Sequence, residues 1–145
     1  MRTAIIYASM HHGNTYKLVE AIKNKYGITV FDATKEAEID LSGYDIIGFA
    51  SGIAFGKFYP QINRIAESCL PEGKKIFFLY TCGNKGSYTK NIRKIVSGKS
   101  CDILGTYGCQ GWDTYGPLKL VCGINKCNPT EDEISAAVAF YESII

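Results

Sequence analysis

The chain has 145 residues, which is enough for one domain with a substantial buried core. Hydrophobic residues make up 46% of it and charged residues 21%, as is typical of a globular protein. No apolar run approaches the roughly 20 residues of a membrane span, and no recognised nucleic-acid-binding module accompanies the net charge of +2. We therefore expect a single domain over 1–145 with neither nucleic acid nor membrane as partner. The start of the chain lacks a secretory apolar region, so we expect a cytoplasmic location.

The six cysteines are expected to be free thiols, because the sequence shows no export signal. The only close pair is Cys122 and Cys127, and it lacks the second matching pair of a zinc site. We predict no metal site. Cys82 and Cys109 have no base and oxyanion-binding element at a defined spacing, so we do not assign them as nucleophiles.

The first 26 residues predict a strand, a short loop and a helix. An apolar run over 3–8 indicates the strand, and a helical period follows through Thr15, Leu18, Val19, Ile22 and Tyr26. The loop between them is rich in hydroxyl and small residues. Loop amides and the positive end of a helix suit a phosphate group, and an ordinary capped turn is the alternative. The candidate phosphate-binding residues are Ser9, Met10, His11, His12, Gly13, Asn14 and Thr15.

The next segments continue the alternation of strands and helices. Gly27 predicts the helix end, 28–31 a second strand, and 32–44 a polar loop with at most a short helix. The continuous apolar run over 45–50 is typical of a strand buried on both faces. A glycine-spaced loop over 51–60 leads into a helix whose apolar face holds Ile62, Ile65, Ala66 and Cys69.

The second half of the chain repeats the pattern. A fourth strand is predicted over 75–80 and a fifth over 103–107, separated by the loop 81–86 and a helix with apolar Tyr88, Ile92, Ile95 and Val96. A long connection over 108–129 precedes the last helix, which opens with Thr130 and Glu133 as a capping box. The apolar face of that helix comprises Ile134, Ala137, Val138, Tyr141 and Ile144 or Ile145.

Strands alternating with amphipathic helices predict an α/β fold, with a parallel sheet covered by helices on both faces. In such sheets a ligand binds beyond the carboxyl ends of the strands. The loops after the first, third and fourth predicted strands all emerge at that edge. They are also the richest in glycine and small polar residues, which predicts a ligand site there.

The loop over 9–15 and the segment 41–52, LSGYDIIGFASG, resemble the flavodoxin family. The family's phosphate loop reads roughly Ser/Thr-x-Thr-Gly-x-Thr, and the loop here is similar to a version one residue longer. The resemblance covers essentially the whole chain and implies a short-chain, three-layer flavodoxin-like domain. Its sheet would have five parallel strands in the order 2-1-3-4-5, with FMN as cofactor.

By the family pattern, the phosphate loop would bind the FMN phosphate and two later loops would hold the flavin ring. The first ring loop would supply Ser51, Gly52, Ile53, Ala54, Phe55, Gly56, Phe58 and Tyr59. The second would supply Thr81, Cys82, Gly83, Asn84 and Tyr88. An isoalloxazine ring needs flat side chains against it, and Phe55, Phe58, Tyr59, Tyr88 and Trp112 are the candidates.

The resemblance implies a low-molecular-weight electron-transfer protein with a reductase and an acceptor as protein partners, rather than an enzyme. The alternative is an NAD(P)H-dependent quinone or FMN reductase of the same fold, and a cofactor-free regulatory domain is a third hypothesis. The charges depart from the family, whose flavin surroundings are acidic: residues 46–66 contain no acid. Seven basic residues and no acid lie between Glu72 and Asp102, which indicates a solvated helix face or a docking patch for an acidic partner.

Overall fold

The computed structural model describes residues 1–10, 13–84, 86–111 and 128–145. The parallel sheet at its centre contains strands β1 (Thr3–Ala8), β2 (Thr29–Asp32), β3 (Ile46–Ala54), β5 (Lys75–Cys82) and β6 (Asp102–Gln110). Their spatial order is β2-β1-β3-β5-β6, which confirms the predicted order of the five parallel strands.

A sixth, two-residue strand, β4 (Lys57–Phe58), was not predicted. It pairs antiparallel with the end of β3, joining Ile53 to Phe58 and Ala54 to Lys57. The predicted loop over 51–60 is therefore wrong in part: its first four residues extend β3, and a hairpin follows. Two paired residues are too few to show the alternating pattern by which a strand is recognised.

In the described part of the chain four helices cover the sheet: α1 (Asn14–Tyr26), α2 (Pro60–Cys69), α3 (Lys90–Ser97) and α4 (Glu131–Ile144). Helix α1 ends at Gly27, which has the left-handed φ of 64° expected at a helix end. Most of the apolar stripe that the sequence predicted is buried in α1 and α2, where Tyr26 and Cys69 are only partly buried. In α3 the buried residues are Ile92 and Val96, and the prediction that Tyr88 belongs to this helix is wrong, since α3 begins at Lys90. None of the described helices is long and apolar enough to cross a membrane.

The core lies in layers on the two faces of the sheet. Adjacent residues of β5 point to opposite sides, so Phe77 packs with Ile22 and Tyr141 under α1 and α4, whereas Phe78 packs with Ile65 under α2 and α3. All the central strands are buried on both faces, which explains their continuous apolar runs. Helices α1, α2 and α3 follow β1, the β3–β4 hairpin and β5 along the chain. They therefore begin near the carboxyl edge of the sheet, where the loops after these strands converge.

Candidate functional site

A groove of about 880 Å³ lies at the carboxyl edge of the sheet. Its volume is within the range of small-molecule sites, about 300–1,000 Å³. The groove is lined by the loop after β1, the β3–β4 hairpin, the end of β5 and one face of α2. The three loops that the sequence predicted to share a site therefore do meet.

The loop after β1 leads directly into the start of α1. Gly13, with φ of 65°, caps the helix without a side chain that could accept its first N–H groups, and the first turn contains no acid. The Ser9 Oγ accepts a hydrogen bond from the Tyr16 N–H at 3.2 Å. The positive end of α1 is thus left facing the groove with no carboxylate of its own.

Thr15 ties this helix start to the loop after β5. Its Oγ1 lies 2.8 Å from the Oγ1 of Thr81, and both side chains are buried. Asn14 packs against Gly111 so closely that a Cβ at Gly111 would lie 2.6 Å from the Asn14 Nδ2. The Gly111 N–H donates to the carbonyl of Cys82 at 2.9 Å. The first turn of α1 and the ends of β5 and β6 therefore form one packed unit.

The β3–β4 hairpin presents a phenylalanine at its tip. Phe55 and Gly56 both have positive φ, 54° and 76°, as a two-residue hairpin requires. This backbone conformation is strained for a bulky residue, and the Phe55 side chain is nonetheless 86% exposed. The aromatic ring is thus held at the rim of the groove at a conformational cost.

Below the tip, Ser51 and Tyr59 hold the hairpin against the sheet. The Ser51 Oγ accepts from the Tyr59 N–H at 2.9 Å and donates to the Gly52 carbonyl at 2.6 Å. A Cβ at Gly52 would lie 2.5 Å from the Tyr59 hydroxyl, so the two residues are in close contact. Phe58 is 1% exposed and packs its ring against Phe78. Phe58 therefore belongs to the core beneath the groove.

Two tyrosines close the loop after β5. The Tyr80 hydroxyl donates to the Gly86 carbonyl at 2.6 Å, and the Tyr88 hydroxyl donates to the Asn84 carbonyl at 2.7 Å. Their rings meet edge to face with centroids 5.7 Å apart. Tyr88 thus supports this loop, and it is not among the residues that line the groove.

The two cysteines near the groove are both buried. Cys82 packs in the layer under α2 and α3, whereas Cys109 packs with Leu18 and Ala137 on the other face of the sheet. Burial, with a smaller contribution from the nearby Glu133 carboxylate, raises the pKa of Cys109 to about 12. The four described cysteines, Cys69, Cys82, Cys101 and Cys109, are all free thiols, as predicted.

Most of the residues predicted to hold a flavin line the groove. They are Ser9, Met10, Asn14, Thr15, Gly52, Ile53, Ala54, Phe55, Phe58, Tyr59, Thr81, Cys82 and Gly83. Gly13, Ser51, Gly56, Asn84 and Tyr88 lie in the same loops but outside the lining. The predictions for His11, His12, Trp112 and the pair Cys122 and Cys127 fall outside the described residues.

One wall of the groove was not predicted from the sequence. It is formed by α2, through Pro60, Gln61, Asn63, Arg64 and Glu67. Lys57, Asn91 and Gly111 also line the groove and were not among the predicted site residues. The only signal was the polar face of α2 opposite Ile62, Ile65 and Ala66, which any surface helix also shows.

Two amide side chains on this wall have unsatisfied oxygens. The Gln61 Oε1 and the Asn63 Oδ1 are buried and find no hydrogen-bond partner among the described residues. An unpaired buried acceptor costs about 1–3 kcal/mol. Both residues line the groove, so turning either amide toward it would bring the oxygen to a ligand with O–H or N–H donors.

The fold and this groove can be compared with known proteins. A flavodoxin domain family model matches residues 4–101. The uncharacterized protein MJ0298 of Methanocaldococcus jannaschii is 36% identical, with 100% of this chain and 99% of that protein aligned.

Solved structures share the fold at low identity. A flavodoxin from the domain Archaea superposes with a TM-score of 0.66 at 15% identity, over 98% of both chains. A flavoprotein from Lactobacillus acidophilus in complex with FMN gives a TM-score of 0.57 at 14% identity, over 74% of this chain and 92% of that one. The chain has the flavodoxin-like fold, and it belongs to the flavodoxin domain family of flavin-binding electron-transfer proteins.

Proposed function

We propose that the groove binds FMN and that the protein is a small electron carrier. The observation that carries this proposal is the continuity of the groove, from the open start of α1 to the exposed ring of Phe55. One end suits a phosphate and the other suits a flat aromatic ring. When bound, the flavin would supply the reversible redox chemistry, and the protein would supply its position and electrostatic surroundings.

The start of α1 fits the phosphate. Gly13 offers no capping side chain and the first turn has no acid, so the positive end of the helix is available to an anion. Thr15 and Asn14 are fixed by their contacts with Thr81 and Gly111, which would spare the ligand the entropic cost of ordering them.

The hairpin fits the ring. A strained residue persists in a protein when its surroundings hold it there, and such residues cluster at ligand sites. Phe55 has both the strain and the exposure expected of a side chain that a flat ligand covers. Stacking of two aromatic rings contributes about 0.5–1.5 kcal/mol beyond the area buried.

The wall formed by α2 fits the polar remainder of the molecule. FMN has sugar-chain hydroxyls and a ring N–H, all of which can donate hydrogen bonds. The unpaired oxygens of Gln61 and Asn63 are acceptors at the groove. We assign to both side chains the role of accepting donors from the bound cofactor.

The test is to purify the protein, record its absorption spectrum, identify any released flavin, and titrate the flavin-free protein with FMN and with riboflavin. We expect one FMN per chain and binding of FMN at least about a hundredfold tighter than riboflavin, since riboflavin lacks the phosphate. Equal affinity for the two would contradict the phosphate site. A protein that binds neither would contradict the whole proposal.

A second measurement separates a carrier from a reductase. We expect the FMN-loaded protein to show no sustained oxidation of NADH or NADPH with a quinone as acceptor. Steady turnover with those reagents alone would replace the carrier by an NAD(P)H-dependent reductase of the same fold.

A further inference from the structure

The mouth of the groove is bordered by two exposed apolar side chains. Four large hydrophobic residues are exposed in the described part of the chain, and Met1 and Ile145 are its first and last residues. The other two are Met10, 54% exposed, and Phe55, 86% exposed, and both line the groove. Exposed apolar groups gathered at one place are typical of a contact surface.

Two cations line the groove together with these residues, and a third is the sequence neighbour of a lining residue. Lys57 and Arg64 are exposed and line the groove, and the exposed Lys90 directly precedes Asn91, which also lines it. The ion pairs in the described part of the chain are Lys25–Glu142 and Lys35–Asp32. Lys57, Arg64 and Lys90 are therefore not neutralised by a described carboxylate. We call Met10, Phe55, Lys57, Arg64 and Lys90 the hairpin-side rim.

The acidic residues near the carboxyl edge of the sheet lie mostly away from the hairpin-side rim. Glu67 is the one acid among the described residues that line the groove. Glu131, Asp132 and Glu133 begin α4, which packs with α1 on the other face of the sheet, and Asp32 ends β2 and pairs with Lys35. The carboxyl edge is thus positive on the side of α2 and α3 and negative on the side of α4.

Several cations of the basic run noted in the sequence have structural roles instead. Lys99 donates to the carbonyls of Glu67 and Leu70 at the end of α2, and Lys74 donates to the carbonyl of Ser42. Arg93 is held by hydroxyls of Thr89 and Thr106. Among the described residues of that run, Lys90 is exposed and directly precedes Asn91, which lines the groove.

We propose that the hairpin-side rim docks a protein redox partner with an acidic surface. Partner carboxylates would face Lys57, Arg64 and Lys90, while Met10 and the face of the Phe55 ring that the flavin leaves uncovered make the central apolar contact. This inference rests on the proposed function. In the transfer step one electron leaves the reduced protein and converts a ferric iron of the partner to ferrous, with no bond formed or broken.

The test uses the FMN-loaded protein, reduced photochemically and mixed rapidly with an oxidised acceptor. The two acceptors are an acidic rubredoxin and a basic c-type cytochrome, each at a series of salt concentrations. Raising the ionic strength from about 0.01 M to about 1 M shortens the Debye length from about 30 to 3 Å. We expect the bimolecular rate with rubredoxin to fall at least about tenfold and the rate with the cytochrome to rise. The proposal would be overturned if the rate with rubredoxin rose with ionic strength while the rate with the cytochrome fell, or if the rate with rubredoxin did not change.

Charge reversals locate the contact. Lys57→Glu and Arg64→Glu should each lower the rubredoxin rate at low salt about threefold to tenfold. The matched control is Lys23→Glu, which changes the net charge equally but lies in the exposed last turn of α1, away from the groove. Equal losses in all three variants would show that net charge alone acts, and would contradict the assigned surface.

A binding measurement without electron transfer provides the second readout. Calorimetric titration of oxidised, FMN-loaded protein with oxidised rubredoxin should give an association that Lys57→Glu and Arg64→Glu weaken and Lys23→Glu leaves unchanged. Flavin content is measured for every variant. Absence of FMN in the wild-type protein would contradict the proposed function, whereas a fully loaded protein with no such association would contradict the docking surface alone.

Discussion

Helices α1 and α4 pack side by side on one face of the sheet, and they begin in opposite ways. At α4 the Thr130 Oγ1 accepts from the Glu133 N–H at 3.2 Å, and the Glu133 carboxylate accepts from the Thr130 N–H at 2.9 Å. Three acids, Glu131, Asp132 and Glu133, occupy its first turn. At α1 the cap is Gly13 and the first turn has no acid.

The difference shows which helix end serves folding and which is left for a ligand. The capping box and the acids of α4 satisfy its N–H groups and offset its dipole, so this helix start needs nothing from outside. The start of α1 forgoes that stabilisation at the rim of a groove. The strained backbone of Phe55 and the unpaired oxygens of Gln61 and Asn63 lie at the same groove. Several locally unfavourable features are therefore found together there.

The largest expected effect comes from placing an acid at the start of α1. Asn14→Asp should weaken FMN binding on the order of a hundredfold, because a carboxylate within about 5 Å of the phosphate costs about 3 kcal/mol at an effective dielectric of about 20. Riboflavin binding should change much less. Asn24→Asp, in the exposed last turn of α1, is the matched control and should bind FMN like the wild type. Equal weakening for both flavins would contradict the phosphate assignment.

Relieving the backbone strain at Phe55 should stabilise the flavin-free protein but weaken its binding of FMN. Phe55→Asn should raise the unfolding free energy of the flavin-free protein by about 0.5–1 kcal/mol, because asparagine tolerates a left-handed backbone. It should also weaken FMN binding about fivefold to tenfold through the loss of ring stacking. Denaturant unfolding and flavin titration measure the two effects. Phe55→Tyr keeps the ring and should bind FMN normally, so a matching loss in that variant would count against stacking.

Removing the cap of α4 should lower the stability of the fold without affecting FMN binding. Thr130→Ala should lower the unfolding free energy by about 1 kcal/mol, because the Glu133 N–H loses its acceptor. FMN affinity should not change, and Thr130→Ser should restore most of the stability. A tenfold loss of FMN affinity in Thr130→Ala would show that the two helix starts are not independent.

The smallest expected effect is a pH dependence at the same cap. Burial opposes ionisation of Glu133, but hydrogen bonds from the Thr130 N–H and the Asn128 amide outweigh it and lower the pKa of this carboxyl. A lowered pKa stabilises the fold above the unfolded value, about 4.3, and that contribution disappears as the pH falls through the folded value. The difference in unfolding free energy between wild type and Glu133→Gln should therefore be larger at pH 7 than at pH 3. A constant difference would show that the ionised form is not what stabilises the cap.

The periodic elements were predictable because each is encoded by neighbouring residues. The helical spacing of Leu18, Val19 and Ile22 in α1, the apolar run of β3 and the capping box of Thr130 and Glu133 all act over a few positions. The hairpin was missed because its turn, Phe55-Gly56, is not the Asn-Gly or Asp-Gly pair that usually marks such a turn. The positive φ of Phe55 follows from the pairing of Ala54 with Lys57 across a two-residue turn, and a phenylalanine does not signal such a turn.

Individual residues of the candidate site also differ in whether their position could be predicted from the sequence. The family pattern suggested Phe58 and Tyr88 as candidates for the ring walls. Phe58 lines the groove but is 1% exposed, and Tyr88 lies outside the lining with its hydroxyl donating to the Asn84 carbonyl. Conversely, the sequence shows Gln61 and Asn63 only as part of the polar face of a surface helix. In the folded protein their oxygens are buried beside the groove.

The sequence by itself determined the order of strands and helices, the meeting of three loops at one sheet edge and the capped start of α4. These features follow from local periodicity, from capping chemistry and from the geometry of parallel strands. The tertiary structure alone decided that Phe55 is exposed, that α2 supplies a wall of the groove and that Lys57 and Arg64 both line it. Those outcomes depend on contacts between distant segments, because burial and charge proximity arise only when the elements pack.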